Sequence, residues 1–185
     1  MYQCILVPLD GSKRAEAILP HVEKLAIQFQ AKLVFLQVVE PIHVIPESEA
    51  PFMEGFQEKM EREKEQAELY LKTIKGEFRE KGIQTKVRVS YGSVIDWIIN
   101  AAESEGADLI AIASHGRTGL SRVFYGSVAV GVLHRVDRPL LTESAYATGV
   151  MTLSKSRPIS IEYLKTDFKE PLSRTIHYKL SYGRG

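Results

Sequence analysis

Ala113-Ser-His-Gly-Arg-Thr-Gly-Leu-Ser-Arg-Val-Phe-Tyr-Gly126-Ser127 holds the residues best suited to chemistry in this chain. A short apolar run, Asp108 to Ile112, comes before it, and a helical pattern of Val128, Val132, Leu133 and Val136 comes after. The spacing predicts a glycine-rich loop between a buried strand and a helix. At a helix start the first backbone N–H groups have no intrahelical partner, and the helix dipole favours a negative guest. Glycines let the backbone approach that guest. Arg117 and Arg122 add two permanent cations suited to phosphate. The chemistry these residues point to is anion binding, with the phosphates of a nucleotide as the leading guest. Glycines also make turns that hold no ligand. Neither GxxxxGK[ST] nor GxGxxG occurs, so the loop is neither a Walker A nor a dinucleotide fingerprint.

Little else offers catalysis. His115 lies in the loop with no carboxylate or nucleophile at motif spacing, so it reads as a loop residue that fixes backbone. Asp96 follows Ser93 by three residues, which suits a capping arrangement at a helix start. The five histidines (His21, His43, His115, His134 and His177) are far apart. Cys4 is the only cysteine, which excludes an internal disulfide framework and a cysteine-based metal cluster. No catalytic residue and no metal ligand is assigned.

These residues must be held by a scaffold of adequate size. The 185 residues suffice for one domain plus an appendage, and the 44% hydrophobic content allows a sizeable core. The formal net charge of +1 points to neither nucleic acid nor an acidic partner. No basic segment followed by a long apolar stretch opens the chain, and no apolar run reaches the ~18 residues of a membrane span. A soluble cytoplasmic protein without membrane partners is expected.

Cys4 to Val7 is apolar and meets Pro8-Leu-Asp-Gly-Ser12, which reads as a buried strand ending in a polar turn. Ser12 can cap the first helix. Ile18, Val22, Leu25, Ala26 and Phe29 recur at helical spacing, and Lys32 to Val39 is a second strand. Glu40 to Gly55, with three prolines, reads as a loop. Phe56 to Glu80 reads as a long helix whose charges are a solvated face. Ile83 to Ser90 alternates like a strand near a sheet edge. Val94 to Ala102 forms a helix, Asp108 to Ser114 a fourth strand, a helix then runs to about Val136, and Pro139 to Glu143 is a short fifth strand. The predicted fold is α/β: an open, five-stranded, mainly parallel sheet with helices on both faces, Rossmann-like. Right-handed crossovers bring the first turn, the end of strand two and the loop after strand four to one rim, where ligands bind in such sheets.

ILVPLDGS at the start, LQVVEP after strand two, and the stretch from Tyr91 to Leu141 resemble the universal stress protein A family of small α/β ATP-binding proteins, over residues 1–145. The resemblance implies an ATP-binding module of stress response or signalling, acting through conformational or oligomeric change with at most slow ATP hydrolysis. It implies a homodimer, an unspecified protein partner, and Mg²⁺ only as a bridge between phosphates. The ATP-binding branch carries glycine, two residues, glycine, nine residues, then glycine with serine or threonine. Gly116, Gly126 and Ser127 fit, while Ala113 stands at the first position. By the same resemblance Pro8, Leu9 and Asp10 would lie by the nucleoside. Val39 would offer its backbone to the adenine edge. Gly116, Arg117, Gly126 and Ser127 would meet the phosphates, and Ala113, His115 and Val128 complete the nucleotide-binding set.

Two other readings stand beside this one. A family member acting only through protein contacts is kept open by Ala113. A nucleotidyl transferase would carry HxGH after the first strand, where this chain has PLDGS. Residues 146–185 lack a sustained helical period and are read as a loosely ordered extension. Ile159 to Tyr163 or Thr175 to Leu180 could instead add a strand beside the short fifth strand.

Overall fold

The computed structural model describes residues 2–40, 53–113, 127–144, 147–154, 157–163 and 175–177. Strand β1 (Cys4–Pro8) is buried at every position. It pairs in parallel with β2 (Lys32–Val39) on one side and with β4 (Leu109–Ala113) on the other. Strand β3 (Thr85–Tyr91) lies outside β2, and β5 (Leu140–Ser144) outside β4, both parallel. The five-stranded parallel arrangement is the one the sequence pattern calls for.

The apolar runs sort onto two faces because successive strand residues point opposite ways. Ile5, Val7, Leu33, Phe35, Leu109 and Ala111 face one way and pack against Val22 and Leu25 of α1 (Leu19–Phe29) and Leu71 and Phe78 of α2 (Met53–Glu80). Leu6, Val34, Leu36, Ile110 and Leu140 face the other way, onto Ile98 and Ala102 of α3 (Val94–Ser104) and Val132 and Leu133 of α4 (Ser127–Leu133). A sheet covered on both faces needs such continuous apolar strands.

Caps set the helix boundaries. Ser12 Oγ accepts from the Ala15 amide at 3.1 Å, starting a 3-10 turn, Ala15–Ile18, that leads into α1. Ser93 is the N-cap of α3, and its Oγ accepts from the Asp96 amide at 3.5 Å. Asp96 also pairs with Arg135 at 2.6 Å, tying the start of α3 to the end of α4.

At the rim formed by the strands' starts, the Asp108 carboxylate accepts from the amides of Gln3 (2.7 Å) and Cys4 (3.2 Å), aligning β4 with β1. Arg138 donates to the carbonyls of Ala102 and Ala107, both at 2.7 Å. Glu105, with a side chain only 7% exposed, receives Lys86 at 2.7 Å, Arg88 at 3.2 Å and Lys32 at 3.3 Å. One carboxylate thus links β2 and β3 to the end of α3.

Beyond β5 the backbone departs from the expected loosely ordered extension. Strand β6 (Ala147–Ser154) pairs antiparallel with all of β5, from Leu140↔Met151 to Ser144↔Ala147. Strands β7 (Arg157–Tyr163) and β8 (Thr175–His177) continue outward, antiparallel, giving the order β3-β2-β1-β4-β5-β6-β7-β8. The neighbour of β5 is therefore β6, and Ile159–Tyr163 lies one strand further out. A five-residue edge left bare would expose unpaired N–H and C=O groups, and a short hairpin from the same chain satisfies them at low loop-closure cost.

This architecture leads to two expected outcomes. A chain ending at Ser144 is expected to stay folded but to self-associate through β5. Light scattering should show a larger species than the full chain gives, and equal mass for both would contradict it. The second concerns Glu105, whose carboxyl pKa is held below the usual range by Lys86 first and then Lys32, against burial. The folded state holds that proton less tightly than the unfolded chain. The stabilisation is therefore full above the ordinary carboxylate pKa and is lost as pH falls through the lower folded value. Glu105→Gln should cost roughly 1–3 kcal/mol at neutral pH. In urea melts its stability should fall less than the parent's on acidification.

Candidate functional site

Strand order reverses around β1: the first crossover runs to β2 on one side, and the third reaches β4 on the other. Ligands of open α/β sheets sit beyond the carboxyl ends of the strands at such a switch point. Leu6 pairs with Ile110, so Pro8 and Ile112 lie two residues further along toward the same rim.

The turn after β1 is built by its own side chains. Pro8 and Leu9 are buried, and the Leu9 amide donates to the Leu36 carbonyl at 2.8 Å. Asp10 is exposed, and one carboxylate oxygen accepts from the Ser12 amide at 2.9 Å. This is the local turn bond that aspartate makes before Gly-Ser. Gly11 has φ of +78°, a conformation that costs a residue with a side chain about 1–2 kcal/mol. The turn therefore holds the Asp10 carboxylate at the rim.

At the end of β2 the backbone hydrogen bonds distinguish Val38 from Val39. The Val39 carbonyl accepts from the Gly92 amide at 3.1 Å, which turns Val39 toward β3. Peptide groups alternate along a strand, and the Leu36 carbonyl is turned toward β1. Val38 is therefore turned to the same side as Leu36, and β1 ends at Pro8, level with Leu36. The backbone facing the space past β1 is that of Val38, one residue before the position expected from sequence. The LQVV run carries no signal that distinguishes the two valines.

Ala113, half-buried, is the last residue of β4. Ser127 is exposed at the start of α4, and Val128 packs partly against the core under α3 and α4. His115, Gly116, Arg117, Arg122 and Gly126 lie outside the described residues. The rim thus gathers Pro8, Leu9, Asp10, Val38, Ala113 and the start of α4. Among the described residues no group of three His, Cys, Asp or Glu side chains could hold a metal.

Two buried groups were not singled out from sequence. The Gln37 side-chain oxygen is buried with no hydrogen-bond partner among the described residues, and the Tyr70 hydroxyl is buried beside the Glu16 carboxylate. Burial, and then the Glu16 carboxylate, push the Tyr70 pKa upward, so its hydroxyl stays protonated. A glutamine in a strand and a tyrosine in a long charged helix show no pattern that would mark them.

The chain belongs to the Universal stress protein family, whose model matches residues 1–142. It is 29% identical to universal stress protein MJ0577 of Methanocaldococcus jannaschii over 152 residues, 76% of this chain and 94% of that one. Universal stress protein MJ0531 of the same organism is 30% identical over 141 residues, 76% of this chain and 81% of that one. Among solved structures, MJ0577 superposes with a TM-score of 0.65 at 31% identity, covering 77% of this chain and 95% of that one. UspA from Lactobacillus plantarum gives 0.66 at 23% identity, covering 77% and 98%. A universal stress protein solved in complex with cAMP gives 0.55 at 20% identity, covering 77% and 96%.

Helix α4 meets α3 where Gly131 faces Ile95, so closely that an added Cβ would overlap the Ile95 Cδ1. The absence of a side chain there sets how near α4, with Ser127 at its start, lies to α3. Gly131→Val is expected to cost roughly 1–3 kcal/mol by overpacking. Ile95→Ala in the same chain should recover part of that loss. Chemical denaturation of the parent and the two variants measures it, and no recovery would place the strain elsewhere.

Proposed function

We propose that this chain is a nucleotide-binding stress-response module that takes ATP at the rim between β1 and β4. The observation that carries this reading is the convergence of the Asp10-Gly11-Ser12 turn and the start of α4 on either side of the switch point. The α4 start supplies unpaired amides for phosphate. Gly116, Arg117 and Gly126 are proposed to bring the loop backbone and a cation to the same phosphates. His115 is proposed to shape that loop and Val128 to seat the first turn of α4. Asp10 can accept from a ribose or adenine donor with the oxygen that Ser12 leaves available. Val38 takes the role of offering backbone to the adenine edge, for the hydrogen-bonding reason given above. The fold accommodates an adenine nucleotide in at least one neighbour, the one solved with cAMP.

Mg²⁺ enters this proposal only as a bridge between phosphates, since a caged ion would need several carboxylates. The output is a conformational or oligomeric change in the cytoplasm, read by a protein partner. The homodimer implied by the family would need an edge other than β5, or the departure of β6 from it. Hydrolysis is proposed to be slow at most, as the family resemblance implies.

Isothermal titration with Mg²⁺-ATP should show one site per chain. Gly126→Val should abolish it, because a branched side chain blocks the approach of backbone to phosphate. Ala113→Gly should retain or improve it. A folded Gly126→Val chain that binds as well as the parent would place the site elsewhere. No heat at millimolar ATP would favour a module that acts by protein contacts alone.

A further inference from the structure

At the opposite rim from the proposed nucleotide site, the end of α2 and the start of β3 enclose a cleft of about 500 Å³. Its lining is Lys32, Lys75, Arg79, Gly82, Ile83, Gln84 and Thr85. Three of these seven are cations and none is a carboxylate. We infer that this cleft binds a small phosphate-type anion, held by Lys75 and Arg79.

The two cations are placed by helix geometry. Lys75 and Arg79 are four residues apart on α2 and so lie one above the other on a single face. Like charges at that spacing repel unless a counter-charge sits between them. Other lysines nearby have their partners: Lys72 pairs with Glu68 at 3.1 Å, Lys81 with Glu23 at 2.7 Å, and Lys86 with Glu105 at 2.7 Å. Lys32 is shared with Glu105 at 3.3 Å. Among the described residues, Lys75 and Arg79 have no carboxylate within ion-pair distance.

A cation near a helix end could instead serve the last carbonyls. Here the end of α2 closes on itself. The amides of Lys81 and Ile83 donate to the Phe78 carbonyl at 3.2 and 3.1 Å, and the Gly82 amide donates to the Arg79 carbonyl at 2.9 Å. Gly82, at φ +76°, makes that closure possible. Lys75 and Arg79 are thus available for an external anion. The Thr85 hydroxyl and the Gln84 side-chain amide add neutral donors. The arginine fork suits phosphate oxygens, and the volume falls within the usual range for small-molecule sites. A phosphate held there meets no carboxylate in the lining, so the cleft's own charges attract it throughout.

The test uses the full chain and inorganic pyrophosphate. Amide spectra should show saturable shifts at Gly82, Gln84 and Thr85, on the rim away from Asp10 and Ser127. Lys75→Gln with Arg79→Gln should weaken binding by about tenfold or more, since each charge-assisted contact is worth that much. Thermal melting of the double variant should match the parent, because neither side chain has an ion-pair partner among the described residues. Gly126→Val should leave pyrophosphate binding at the cleft unchanged, which separates this site from the proposed nucleotide site. Equal shifts from sodium chloride at matched ionic strength, or undiminished binding by the folded double variant, would overturn the inference.

Discussion

The rim depends on one constraint: β1 is paired on both edges and buried on both faces. Ile5, Leu6 and Val7 have no exposure at all. Removing a central strand's side chains from water on both sides is worth roughly 1.5–3 kcal/mol for each large aliphatic residue. The strand cannot shift register without turning Ile5 and Val7 out of one core and Leu6 out of the other. Its end is therefore fixed, and so is the turn that begins at Leu9. The Asp10 carboxylate inherits that fixity through the Ser12 amide.

The same strand divides the molecule into two working ends. At the carboxyl rim, β1 and β2 stop at different heights, which leaves the Val38 peptide turned to the β1 side beyond the end of that strand. At the amino rim, charge fastens the sheet to its helices. Asp108 bonds the amides that open β1, Arg138 clasps the turn after α3, and Glu105 gathers three cations.

Much of the fold was legible because its signals are periodic. The double-sided apolar runs at Cys4–Val7 and Leu109–Ile112 suit central strands. Ser93 announced the start of α3 that its hydrogen bond to the Asp96 amide marks, while the Ser12 hydroxyl bonds the turn that leads into α1. Three features were hidden, each for a physical reason. The choice between Val38 and Val39 is decided by which neighbour each peptide faces, and two adjacent valines encode no difference. Gln37 and Tyr70 become buried only in the folded molecule, through packing of elements distant in sequence. The strands after Ser144 have weak alternation and depend on the β5 edge beside which they lie, so local pattern argued for a loose extension. The roles proposed for His115, Gly116, Arg117 and Gly126 in the loop, and for Asp10, Ala113 and Ser127 beside it, rest on sequence and family resemblance.

The central claim is that an adenine nucleotide occupies the carboxyl rim at the β1–β4 switch. Mapping amide shifts on addition of Mg²⁺-ATP to the isotope-labelled full chain tests it most directly. The account predicts the largest changes at Leu9 to Ser12, at Val38, and at Ser127 and Val128, which no single element could produce together. Saturating ATP that leaves those amides unmoved would contradict it.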